Sequence, residues 1–181
     1  MTRSTLATVA NTLFDDVVFT DYGQFTIEWG DPADVWDGDP DRFFDGQVNG
    51  WVGAAQAGHL LVVIARRSGG SAVRIERCEA APAVRDDEDV VEVSIRVEPG
   101  SVVMWRSWAA ESEGALDLPP GDYRVRVSAA GRDRGHAEEF AEGVVDRYVL
   151  ELWPAAVEPD AVVRVGSEEA AYWHAEWGNR R

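Results

Sequence analysis

The chain has 181 residues, enough for one domain with a buried core or two very small ones. Its hydrophobic content of 45% is ordinary for a globular protein, and no stretch approaches the roughly 20 apolar residues of a membrane span. A net charge of −16 repels nucleic acid phosphate and steers the chain toward basic partners or cations, besides keeping it in solution.

All 17 basic residues are Arg, which points to a GC-rich coding genome more than to a function. One cysteine, Cys78, excludes an internal disulfide and every multi-cysteine metal motif. The first residues lack the charged, apolar and small-residue blocks of a signal peptide, so the chain is expected in the cytoplasm.

Residues 1–16 read as a lead-in. Residues 17–20 and 24–29 read as strands around an Asp21-Tyr22-Gly23 turn. In the second, Phe25, Ile27 and Trp29 alternate with Gln24, Thr26 and Glu28, the period that buries one face of a strand. Residues 30–46 form a long loop rich in Asp, Pro and Gly, with Trp36, Phe43 and Phe44 as docking points. Residues 47–54 and 60–66 read as a hairpin whose run LLVVIA fits a strand covered on both sides or crossing the centre of a sandwich. Residues 68–71 are a turn into the strand of Val73, Ile75 and Arg77, and the acidic residues 80–89 are a surface loop. Val91, Val93, Ile95 and Val97 then alternate with Glu92, Ser94 and Arg96, and Pro99-Gly100 turns the chain into a strand at 102–108.

The segment LDLPPGDYRVRV, residues 116–127, carries the strongest local signal. A Pro-Pro-Gly-Asp turn leads into a strand whose Tyr123, Val125 and Val127 face the core. Arg124 and Arg126 lie on the other face, where acids of a neighbouring strand can pair with them. An apolar run at 144–153 is its companion, and the polar residues 132–142 between them read as a mobile loop. A last short strand at 162–165 precedes a terminal helix, with Ser167 as N-cap and Glu168 and Glu169 in its first turn. Tyr172 or Trp173 lies on one side with Trp177, and Gly178 suits the C-cap. About ten short strands with frequent turns predict an all-β fold, an antiparallel β-sandwich over 17–166 with a short C-terminal helix at 167–181 packed on or beside it.

The acidic run Asp34, Asp37, Asp39, Asp41 and Asp45 has part of a calcium loop's spacing. Arg42 stands where such a loop needs glycine and Val48 where it needs a bidentate Glu, so no metal site is assigned. His59, His136 and His174 are too far apart for zinc-ligand spacing, and Cys78 has no recognisable base beside it. Serine nucleophile motifs and phosphate-binding glycine loops are absent, so neither catalytic residues nor a cofactor are assigned. With 33 acids, a chance carboxylate pair carries no information about hydrolysis. Of the eight Trp, Trp29 and Trp105 fall in register with core positions. Trp36, Trp51, Trp108, Trp173 and Trp177 stand at loop or element ends, where they either pin loops or lie exposed.

The order QFTIEW, GQVNGWVG, LLVVIARR, VEVSIRVEPG, LDLPPGDYRVRV resembles the competence protein J family over about residues 17–127. Members are small acidic bacterial proteins that inhibit a nuclease of DNA uptake. The resemblance implies an inhibitor or immunity role, without assigning individual residues, and the tail from Ala129 onward departs from the pattern.

The leading reading is a non-enzymatic acidic binding protein, possessing a basic protein partner such as a nuclease and binding neither nucleic acid nor membrane. Its partner-binding residues are then Asp34, Trp36, Asp37, Asp39 and Asp41, with Asp86, Asp87, Glu138 and Glu139, occupying a basic cleft in place of phosphate. The alternative is a carbohydrate- or small-ligand-binding sandwich that uses exposed Trp residues. A hydrolase with paired carboxylates and a homo-oligomer joined through a sheet edge or the terminal helix are further readings.

Overall fold

The computed structural model describes residues 10–30, 39 and 41–179. In chain order its strands are β1 (Ala10–Thr20), β2 (Gln24–Glu28), β3 (Val52–Gly53), β4 (His59–Val63), β5 (Gly69–Cys78), β6 (Asp89–Val97), β7 (Val103–Ser107), β8 (Glu113–Leu116), β9 (Gly121–Ala130), β10 (Arg147–Pro154) and β11 (Ala161–Arg164). Three short helices join them: α1 (Asp41–Phe44), α2 (Arg132–Ala137) and α3 (Glu168–Glu176). The all-β fold with a C-terminal helix is as the sequence predicts.

One sheet runs β1-β5-β10-β9-β6-β11 and the other β3-β4-β2-β7-β8. The run at 116–127 and its companion are β9 and β10, adjacent at the centre of the larger sheet, with Val127 opposite Leu150. β10 also runs parallel to β5, a departure from a purely antiparallel sandwich. Phe25, Ile27, Leu60 and Val62 of the smaller sheet meet Ile75, Val93, Val125, Val127 and Leu150 of the larger, all sealed from water. Burial of each such side chain contributes about 1.5–3 kcal/mol.

Arg124 and Arg126 lie on the other face of β9, as the alternation predicts, and both pair with Glu92 of β6 at 3.2 and 2.7 Å. Their remaining donors reach the carbonyls of Pro159 (2.9 Å) and Pro82 (2.7 Å). The loops carrying those carbonyls close over the guanidinium groups, which leaves the two residues only 5% and 6% exposed.

Three expectations change. Strand β1 begins at Ala10, inside the expected lead-in, because it pairs with β5 along its length. The turns at 21–23 and 99–100 do not close hairpins. Thr20 pairs with Gly69 in one sheet and Gln24 with Val63 in the other, and β6 and β7 are likewise divided between the sheets. Finally, residues 132–137 of the expected polar loop are α2. Gly131 adopts φ +79° just before it, a left-handed turn that aims Arg132 into the interior. The terminal helix is capped as read, with Ser167 Oγ accepting from Ala170 N at 3.0 Å. Its C-cap is Trp177, and the left-handed residue beyond it is Asn179 rather than Gly178.

Candidate functional site

The end of the sandwich where β6 starts, β9 finishes and β10 starts is tied together by carboxylates. Asp89, fully buried, accepts from the backbone N–H of Gly166 (2.8 Å) and Ser167 (3.1 Å) and from Ser167 Oγ (2.6 Å). Asp133 on α2 accepts from the N–H groups of Glu168 (3.2 Å) and Glu169 (2.9 Å), the otherwise unpaired donors of α3. Glu88 accepts from Gly131 N at 2.8 Å. These bonds lock α2, α3 and the loop before β6 to one another. Asp86, Glu88, Asp133, Glu138, Glu142 and Glu168 remain exposed around them.

A polar core lies beneath. Arg132 is fully buried, donates to the carbonyl of Val63 at 2.8 Å, and stacks its guanidinium over the rings of Trp51 and Tyr148 at 4.6 and 5.7 Å. The Tyr148 hydroxyl accepts from Ala65 N (2.8 Å) and donates to Asp146 (3.0 Å), which also accepts from Ser71 Oγ (2.6 Å). Burial above all pushes the Tyr148 phenol far above its ordinary value. His174 of α3 accepts from Gly50 N at 3.1 Å, and burial first, then Arg132, holds its imidazole below the usual range. The acidic end therefore stands on a rigid base joining both sheets.

Of the predicted partner-binding residues, Asp86, Asp87, Glu138 and Glu139 come to this end. Asp86 projects into solvent with Arg164 3.5 Å away. Asp87 is buried against Arg147 at 2.5 Å. Glu138 pairs with Arg134 one helical turn back at 3.0 Å, and Glu139 is half-buried. Asp39 and Asp41 lie elsewhere. α1 leans on His59, at the start of β4, with the Phe43 and His59 rings 6.1 Å apart, while Arg132 grips Val63 at the other end of that strand. Asp34, Trp36 and Asp37 lie outside the described residues.

The Trp residues read as standing at element ends mostly serve packing. Trp51 is core, contrary to an exposed reading, because residues 47–51 fold under α3. Trp173 and Trp177 pack in a tilted arrangement at 4.2 Å, and Trp177 stacks on Phe44 at 5.3 Å. Trp108 is half-exposed and packs on Tyr22 at 4.9 Å. It edges a cleft of about 670 Å³ on the outer face of β2 and β7, lined also by Gln24, Thr26, Glu28, Met104 and Arg106. Glu28 accepts there from Thr26 Oγ1 (2.7 Å) and Arg106 (2.9 Å), and Glu113 lies 2.8 Å from the same guanidinium. The two carboxylates thus share one cation instead of facing each other across a gap. Burial raises the Cys78 thiol, which disfavours the reactive thiolate. Among the described residues no three His, Cys, Asp or Glu side chains gather as a metal cluster, and no helix is long and apolar enough to cross a membrane.

No family model matches the sequence, and no curated protein matches it. Two solved structures are similar in fold. The crocagin biosynthetic gene J product has 16% identity, covers 82% of this chain and 99% of its own, and superposes with a TM-score of 0.52. ComJ from Bacillus subtilis, an inhibitor of the DNA-degrading activity of NucA, has 18% identity, covers 81% of this chain and 99% of its own, and gives a TM-score of 0.54. The resemblance read from the segment order is thus present in the fold, over a larger share of the chain than residues 17–127.

Proposed function

We propose that this chain is a non-enzymatic, cytoplasmic bacterial binding protein of the inhibitor type, which sets its acidic end into the basic cleft of a partner, most simply a nuclease. The observation that carries this reading is the set of exposed acids at one end of the sandwich, held there by α2, α3 and the loop before β6. A nuclease cleft is built to receive phosphate, and carboxylates on a rigid frame present the same sign of charge without a scissile bond. Long-range attraction of opposite charge speeds encounter, and preorganised groups lose little entropy on docking. The likeness to ComJ supports the partner class. The test is a titration of the protein into DNA digestion by NucA. Stoichiometric inhibition that weakens with added salt supports the reading, and undiminished digestion at low salt with excess protein removes this nuclease as its target.

A second reading rests on the cleft beside Trp108, whose volume of about 670 Å³ suits a small ligand such as a sugar ring stacked on the indole. Glycan-array binding with quenching of Trp fluorescence tests it, and no response in either removes it.

A further inference from the structure

We infer that Phe140 is the anchor with which the acidic end docks, entering an apolar pocket rimmed by basic residues on a protein partner; this rests on the binding-protein reading above. After Ala137 the chain has no regular structure until β10, yet one buried side chain holds it from the inside. Arg66, 3% exposed, donates from Nε to the carbonyl of Glu139 (3.1 Å), from Nη1 to that of Gly143 (2.5 Å), and from Nη2 to that of Ala141. It also bonds the carbonyls of Ser68 (3.1 Å) and Gly70 (3.0 Å), which fixes the guanidinium to the start of β5. Gly69 makes room for it. Its φ is +120°, and a Cβ there would stand 2.5 Å from Arg66 Nε.

The three loop carbonyls that Arg66 holds belong to Glu139, Ala141 and Gly143, and two residues lie between them. Those are Phe140, 84% exposed, and Glu142, also exposed. A large ring on a clamped backbone loses little conformational freedom when it is buried, and aromatic side chains of this kind dominate the energetics of protein interfaces. Two more exposed rings lie at the same end. Phe19, 63% exposed, pairs with Gly70, whose carbonyl is on Arg66. Tyr22, 61% exposed, follows on the turn leaving β1, with Arg67 5.7 Å from its ring centre.

Charge selects the occupant. Glu138 and Glu142 flank Phe140 along the chain and Asp21 precedes Tyr22; Arg134 pairs with Glu138 and Arg67 lies over Tyr22, but the chain as a whole has a net charge of −16. A second copy would bring acid onto acid, and nucleic acid is repelled for the same reason, whereas a basic protein surface is complementary.

The test places a photoreactive benzophenone side chain at position 140, and at position 172 as control, because Tyr172 is also exposed but lies on α3. Crosslinking is done in cells of the organism that encodes the chain, and the products are mapped by mass spectrometry. The expected product from 140, and not from 172, is one protein of net positive charge crosslinked within an apolar pocket. Phe140→Ala should then weaken binding to that protein roughly tenfold or more at unchanged thermal stability. Products from 140 that contain only a second copy of this chain overturn the inference. So does full affinity in Phe140→Ala, which leaves the binding-protein reading standing. If the wild-type protein retains no basic protein at low salt, the binding-protein reading and the anchor fall together.

Discussion

The guanidinium carbon of Arg132 lies 4.6 Å from the centre of the Trp51 ring, and both side chains are fully sealed from solvent. This stacked pair joins α2 to the segment before β3 and, through Val63, to β4. It supports the candidate face from below.

Arg132→Met should therefore cost about 1–3 kcal/mol, because the buried Val63 carbonyl loses its donor and the cation stacked on Trp51 and Tyr148 is lost. Arg132→Lys should rescue little, since an ammonium cannot both stack on the indole and reach the Val63 carbonyl. Urea unfolding measures both, and a midpoint near wild type for Arg132→Met would remove the pair from the account.

Stability should fall on mild acidification through His174. Its folded-state value lies below the ordinary 6.5 because of burial first and Arg132 second, with Asp89 and Asp160 acting the other way. As pH drops below about 6.5 the unfolded chain takes up this proton before the folded one does. The contribution is therefore complete above that value and declines beneath it, by at most about 1.4 kcal/mol per pH unit. His174→Gln should flatten the pH dependence of thermal unfolding in that window. An equally steep wild-type and variant profile would assign the loss to other groups.

At α3, Ser167→Ala should cost about 2 kcal/mol by removing both the bond to Ala170 N and the hydroxyl donor to Asp89. Asp89→Ala should cost more, about 3 kcal/mol, because three donors lose a buried charged acceptor at once. Thermal unfolding ranks the two, and the reverse order would mean that the helix start is held elsewhere.

Strands such as β2, β6 and β9 were legible because period-two alternation records which side chains meet the core. The same alternation does not say which strand lies alongside, so the turns between β1 and β2 and between β6 and β7 do not reveal that each connection passes from one sheet to the other. The helix α2 was hidden for a different reason. RDRGHA has no apolar period, and its inward residue is Arg132, whose burial is made acceptable by Trp51, Val63 and Tyr148, all distant in sequence. Acid-rich segments marked the candidate face only in part, since Asp87 is turned inward onto Arg147. Two signals for the Phe140 loop were present: an Arg directly continuing the run LLVVIA, and a lone Phe within EEFAE. Their relation is a tertiary one, because Arg66 reaches residues more than seventy positions away.

If exposed acids at the α2 end guide a basic partner, they act on the rate of association. The measurement is the association rate with NucA, or with the partner captured at position 140, as a function of ionic strength. It compares wild type, the Asp86→Arg/Glu142→Arg variant and the Asp39→Arg/Asp41→Arg variant. The wild-type rate should fall steeply with salt. The Asp86/Glu142 variant should associate roughly tenfold or more slowly at low salt with little change in dissociation, and the Asp39/Asp41 variant should stay near wild type. A salt-independent wild-type rate, or an equal loss in both variants, would contradict guidance by these acids.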